Sequence, residues 1–250
     1  MPLPSVWTED LRARASECDF RGEWKPSAFL QAMQEGAANH AAALGVGFEE
    51  MRAADSAWIL SRFKIHFLAP APMGEAIQLR TWPRGIQQKL FFTRDYIFTA
   101  ADGRRLAEAT SAWVMIQLSK RRILPPQALK TDLPFHSESA LDGLLEKVAV
   151  PEGLPERLRV QASYSAVDVM GHANSARYLD WLCDCLPFEG HRARRLSKVQ
   201  INYSSELKPG EEMAILAGPS DTSQPETWTA QGILPSGSRA FEAAMGWDKT

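Results

Sequence analysis

Three stretches of this chain recur, in the same order, in its second half. CDFRGEWKPSAFL lies over VDVMGHANSARYL at an offset of 149, which puts Asp19 on Asp168, Gly22 on Gly171, Phe29 on Tyr178 and Leu30 on Leu179. IHFLAPAPMGE lies over INYSSELKPGE at an offset of 136, pairing Ile65 with Ile201, Phe67 with Tyr203, Gly74 with Gly210 and Glu75 with Glu211. GRRLAEATSAW lies over GSRAFEAAMGW at an offset of 134, pairing Gly103 with Gly237, Arg105 with Arg239, Glu108 with Glu242, Ala109 with Ala243 and Trp113 with Trp247. Shared helix or strand patterning repeats residue types, not identities. Ungapped matches in one order therefore point to a duplicated unit. The falling offset means only that the second copy has shorter loops.

Each copy has the same order of expected elements. The first opens on a short strand or turn, followed by a helix from about Ser27 to Leu44. There Phe29, Met33, Ala37 and Ala41 recur every four residues as one apolar face. Gly45 and Gly47 can end it. In RFKIHF, Phe63, Ile65 and Phe67 alternate with Lys64 and His66, the period of a half-buried strand. AIQLRTW, KLFFTRDYIFTA and EATSAWVMIQL follow, the last two joined by the hairpin signal Asp102-Gly103. The second copy gives a helix near Ser175 to Leu186, then KVQINYSSE, EMAILAG, TWTAQGIL and AFEAAMGW as strands. The expected class is α+β, one long helix wrapped by an antiparallel sheet, twice over. Residues 1–118 form the first unit and 157–250 the second. Between them residues 119–156, rich in proline and charge and without alternation, read as a linker.

Composition narrows the function. A net charge of -2 and pI near 6.2 argue against a general nucleic-acid binder. Cys18, Cys183 and Cys185 cannot build a disulfide framework. The C-x-C pair on an expected helix lacks a second ligand cluster, so no metal or cofactor is expected. No apolar run is long enough to span a membrane, and MPLPSVWTEDLRARASE has no signal-peptide core. The expected location is the cytoplasm.

A central helix wrapped by an antiparallel sheet, occurring twice, resembles a double hotdog fold. LQAMQEGAANHAAALGVGFEEM, AWILSRFKIHF, RTWPRGI, FTRDYIF and ATSAWVMI resemble the N-terminal half of bacterial acyl-ACP thioesterases, the family shared with the plant plastid enzymes. VDVMGHANSARYLDWL followed by NYSSEL resembles its C-terminal, catalytic half. The resemblance implies hydrolysis of fatty acyl-ACP to free fatty acid and carrier protein. In the family an Asp-x-Asn-x-His run before the C-terminal helix carries catalysis, with a Glu at the end of the next strand. Asp168, His172 and Glu206 match these positions. Met170 stands where the plant-type pattern has asparagine, and Leu207 where it can have cysteine. Cys183 and Cys185 fall within the expected helix, so a Cys–His–Asn arrangement is not available. Met-Gly-His-x-Asn also resembles the wider hotdog thioesterases, in which the acid at the position of Asp168 is the expected base or nucleophile.

The chemistry suits these residue types. Thioester hydrolysis needs an activated water and a stabilised carbonyl oxygen. A helix N-terminus offers free N–H groups and partial positive charge, and Gly171 lets the backbone approach a ligand. Asp168 or Glu206 can take the water's proton, a choice the sequence leaves open. His172 can orient that carboxylate or protonate the departing thiol. Asn174 is a helix cap, a site residue, or both. His172 falls on Glu23 and Glu206 on Pro70, so only the second copy combines acid, histidine and glutamate.

The first copy is then the expected place for the acyl chain, with Met33, Ala37, Trp58 and Trp113 as candidate lining residues, each of which plain core packing explains more readily. The partner implied is acyl carrier protein, which is acidic. HRARRLSK, with Arg192, Arg194, Arg195 and Lys198, is the candidate docking run, and Lys120 to Arg122 a second. Two fused units make a monomer plausible and leave a homodimer open. Three rival readings remain: an acyl-CoA thioesterase, a hydratase or dehydratase, and a non-catalytic acyl-binding protein.

Overall fold

The computed structural model describes residues 3–143, 145–220 and 226–250. It resolves two compact units, divided between Leu145 and Glu146. In the first unit the strands are β1 (Trp7–Arg12), β2 (Ser56–Phe67), β3 (Ala76–Gln87), β4 (Phe91–Ala100), β5 (Arg105–Gln117) and β6 (Arg122–Leu124). Its helices are α1 (Pro26–Ala43) and α2 (Phe48–Ala53). The antiparallel sheet runs β1-β3-β4-β5-β2, with β6 on β5. In the second unit α3 (Ser175–Asp184) and α4 (Phe188–Ala193) accompany β7 (Glu156–Gln161), β8 (Arg194–Tyr203), β9 (Glu212–Pro219), β10 (Thr227–Ile233) and β11 (Arg239–Lys249). Its antiparallel order, β7-β9-β10-β11-β8, is the first unit's order element for element.

The helices begin at equivalent places, Pro26 and Ser175, at the offset of 149 found in the sequence. Proline suits the first helical position because that N–H has no intrahelical partner. Phe29 and Tyr178 are each the fourth residue of their helix. Phe29 meets Phe67 edge-on at 5.4 Å, and Tyr178 meets Tyr203 edge-on at 5.2 Å. Gly36 lets α1 sit close to β3, since a Cβ there would come within 2.9 Å of Leu79 Cδ2. The apolar face expected of α1 is buried at Phe29, Met33 and Ala37, with Ala41 packed at its edge.

The period-four pattern stops short of one buried residue. His40 is fully buried on α1. Its Nε2 lies 2.8 Å from the Pro4 carbonyl, which only accepts, so Nε2 carries the proton and Nδ1 is left to accept from Arg94 Nη1 at 3.0 Å. Burial, with Arg94 adding to it, lowers the His40 pKa from 6.5 to about 4.

The stretch after β6 has no strand alternation, yet part of it packs on the first unit. Trp82 Nε1 donates to Glu138 O at 2.9 Å, and Ala140 N–H to the buried Asp95 Oδ2 at 2.9 Å. Arg62 donates to Leu145 O, and Leu141 and Leu145 are buried.

Candidate active site

The sequence Asp168 to Asn174 folds as a tight turn because its short polar side chain and its glycine suit one. Asp168 N–H donates to His172 O at 3.0 Å, Gly171 N–H to Asp168 O at 3.0 Å, and Met170 N–H to Asp168 Oδ1 at 2.9 Å. Gly171 has φ +80°, a conformation side chains resist. The same turn exists in the first copy. Asp19 N–H donates to Glu23 O at 2.8 Å, Gly22 N–H to Asp19 O at 3.0 Å, and Arg21 N–H to Asp19 Oδ1 at 2.8 Å.

A second correspondence brings the strand end to the turn. Ala173 N–H donates to Leu207 O at 2.9 Å, as Trp24 N–H does to Ala71 O at 2.8 Å. Ser204 and Ser205 both donate to Ala240 O, as Leu68 and Ala69 do to Leu106 O. Glu206, half-buried, therefore sits one residue from a direct bond to the neighbour of His172.

The copies differ in how the aspartate is used. Asp19 Oδ1 also takes the Glu23 N–H, at 3.1 Å. Asp168 instead offers Oδ2 to the Asn174 side-chain amide, at 3.3 Å. Among the described residues no protein acceptor meets the His172 N–H. Asn174 is also the N-cap of α3, its Oδ1 accepting Ala176 N–H at 2.9 Å. His172 Nδ1 lies 3.9 Å from Asp168 Oδ1, beyond hydrogen-bond length, and the two side chains are 21% and 22% exposed. The turn thus presents an imidazole, a carboxylate and a helix N-terminus to partly open space, with the strand end that carries Glu206 bonded to it through Leu207 O.

Cys185 is buried, which pushes its thiol up to about 12 and leaves it inert as a nucleophile. Burial also raises the Tyr178 phenol; the carboxylates of Glu211, Asp168 and Glu206 add to this, while the Leu207 N–H opposes it. Tyr178 is therefore a neighbour of the site, as the sequence reading missed. Tyr203 Oη donates to Ser175 O at 2.8 Å. The signal for both was already in the repeat: each is a phenylalanine in the first copy that has gained a hydroxyl in the second.

The other candidates belong to other elements. Met33 and Ala37 are buried on α1. Trp58 Nε1 donates to Val46 O at 3.0 Å and the ring meets Phe92 edge-on at 4.9 Å. Trp113 Nε1 donates to Ser111 Oγ at 2.7 Å. Arg192 is on α4, exposed and 3.5 Å from Glu189. Arg194, Arg195 and Lys198 are on β8, where Arg194 and Arg195, as strand neighbours, point to opposite faces. HRARRLSK is thus a helix end and a strand, not an open loop. Among the described residues no cluster of three or more His, Cys, Asp or Glu could hold a metal ion. Among them, too, no helix is long and apolar enough to cross a membrane.

Residues 4–127 match the acyl-ACP thioesterase N-terminal domain and residues 151–249 the C-terminal domain of the same family. The chain belongs to the acyl-ACP thioesterase family. It is 27% identical over 192 residues to a chloroplastic acyl-[acyl-carrier-protein] hydrolase of Cuphea viscosissima, covering 72% of this chain and 46% of that one. It is 25% identical over 215 residues to a chloroplastic palmitoyl-acyl carrier protein thioesterase of Gossypium hirsutum, covering 80% and 52%. The chain spans about half the length of these curated relatives. An acyl-ACP thioesterase structure from Bacteroides thetaiotaomicron superposes with a TM-score of 0.87 at 20% identity, covering 98% of both chains. The 12:0-ACP thioesterase of Umbellularia californica does so at 0.83 and 19%, covering 99% of this chain and 98% of the other. These similarities establish the double hotdog fold.

Proposed function

We propose that the chain hydrolyses the thioester of fatty acyl-acyl carrier protein, releasing free fatty acid and the carrier protein, in the cytoplasm. One observation carries this reading. The two copies share three hydrogen bonds that close the turn, and only the second has His172 and Glu206 beside it. A turn that folds without these groups did not acquire them to fold.

Because Asp19 makes the turn bonds with Glu23 and Pro70 in place of His172 and Glu206, we assign the aspartate to positioning and Glu206 to proton transfer. Glu206 takes a proton from water as the water oxygen adds to the thioester carbonyl carbon. The resulting oxyanion is stabilised at the N-terminus of α3, where the His172 N–H is a candidate donor. Collapse breaks the C–S bond, and the departing sulfur receives a proton from His172 or from protonated Glu206. The products are the fatty acid and the carrier's free thiol.

The first copy binds the acyl chain in this reading, with Met33, Ala37, Trp58 and Trp113 as candidate contacts. Arg192, Arg194, Arg195 and Lys198 are the candidate carrier contacts. The test is thiol release from a panel of acyl-ACP chain lengths, run beside acyl-CoA of equal lengths. Faster turnover of acyl-CoA at every length would make the chain an acyl-CoA thioesterase. Binding of acyl-ACP without thiol release would make it an acyl-binding protein.

A further inference from the structure

We infer that Tyr203 and Tyr178 are positioning residues for thioester hydrolysis, their hydroxyls fixing the Glu206 segment against the first turn of α3. The inference rests on the hydrolase reading above and deepens it.

The two copies supply the comparison. In both, the fourth helical residue packs edge-on against an aromatic ring at the end of the next strand: Phe29 on Phe67 at 5.4 Å, Tyr178 on Tyr203 at 5.2 Å. The ring contact is thus all that packing needs, and the first copy makes it without a polar atom. The second copy adds a hydroxyl at both positions. A buried hydroxyl must find a partner or cost stability, so packing alone gives no reason to add one.

The partners lie at the turn. Tyr203 Oη donates to Ser175 O at 2.8 Å. Ser175 opens α3 and follows Asn174, whose amide holds the Asp168 carboxylate. Tyr203 itself ends β8, three residues before Glu206. Burial raises the Tyr178 phenol; the Leu207 N–H opposes this, and the carboxylates of Asp168 and Glu206 add to it. Leu207 O in turn accepts the Ala173 N–H at 2.9 Å. The Tyr203 hydroxyl therefore joins the start of the helix to the strand end three residues before Glu206, and the Tyr178 ring stands against Tyr203 at 5.2 Å. Neither touches the reacting atoms in this account. They act through Glu206, whose displacement by about 1 Å could cost on the order of a hundredfold in rate.

The test uses Tyr203→Phe and Tyr178→Phe, alone and combined with Glu206→Gln, on the full chain. Phenylalanine is what the first copy carries, so the ring contact is kept; melting curves check that each variant folds. Each single change is expected to lower kcat about tenfold or more with KM within about twofold. Added to Glu206→Gln, each is expected to cost nothing further, because a residue that acts through Glu206 has nothing left to position. Wild-type kcat in both phenylalanine variants overturns the inference, as does a loss that multiplies onto that of Glu206→Gln. If the wild-type chain releases no thiol from either acyl-ACP or acyl-CoA, the hydrolase reading itself fails and this inference with it. An active wild type with unaffected phenylalanine variants removes only the inference.

Discussion

The side chain of Asn174 holds Asp168 from across the turn, its Nδ2 lying 3.3 Å from Asp168 Oδ2 while its Oδ1 caps α3 through Ala176 N–H. One residue therefore starts the helix and aims the acid. Substitution can separate the two duties. Asn174→Ala loses both and should cost about 1 kcal/mol of stability, as cap deletions do. Asn174→Asp keeps a good cap but sets carboxylate against carboxylate. It should stay nearer the wild-type melting temperature than Asn174→Ala does, with turnover reduced as much. Full turnover in Asn174→Asp would show that the amide donation is not needed.

Glu206→Gln should reduce turnover by roughly 10²–10⁴-fold, the range typical of general base catalysis. Asp168→Asn should be milder in rate and should also lower stability, because its Oδ1 and Oδ2 both accept hydrogen bonds within the turn. Acyl-chain binding should survive both changes, since that energy comes from apolar burial elsewhere. The reverse order in the same thiol-release assay assigns the base to Asp168.

Acid should destabilise the first unit through His40. Its folded pKa is about 4, below the ordinary 6.5, so the unfolded chain binds the additional proton between these values. The stability it contributes is complete above pH 6.5 and is lost as pH falls toward 4, to a total of about 3 kcal/mol. Urea titrations across this window should show the loss, and His40→Gln should flatten it. An unchanged slope in the variant rules out His40 as the source.

Charge reversal at Arg192 and Lys198, both exposed, should raise KM for acyl-ACP and leave small thioesters unaffected. The effect should shrink as salt rises, because exposed charges are screened beyond about 8 Å at physiological ionic strength. Arg194 and Arg195 are half-buried on opposite faces of β8, so reversal there should split, with one position affecting stability more than docking. Equal losses on both substrates would remove these residues from the carrier interface.

Much of this was legible in the residues. The offset of 149 predicts that both helices start in register, and Pro26 and Ser175 do. Alternation in RFKIHF marks the interior of β2, and Asp102-Gly103 lies in the turn between β4 and β5. The strands β1 and β7 were harder to read, since WTEDLR and ERLRVQ alternate with charged residues at sheet edges and bury no continuous apolar face. The packing of residues 136–143 was not legible, because it depends in large part on backbone groups, such as Glu138 O and Ala140 N, that carry no side-chain signature. At the site, Asp168, His172 and Asn174 were close enough in sequence to be read as one turn. Glu206 was matched through the family resemblance, not through the repeat, and the bond from Ala173 to Leu207 brings its strand end to the turn.

The paired turns also bear on how such a chain can change over generations. The Asp19 turn closes with Glu23 where the second copy has His172, and Pro70 stands where it has Glu206, so the aspartate and glycine answer to folding while His172 and Glu206 are not needed for it. On the assignment proposed above, drift at the latter pair silences the chemistry and leaves the fold intact. Drift at Asp168 or Gly171 strikes both together. A lineage carrying this architecture can thus lose or regain that chemistry by few substitutions, while its folding requirements stay recorded in the first copy.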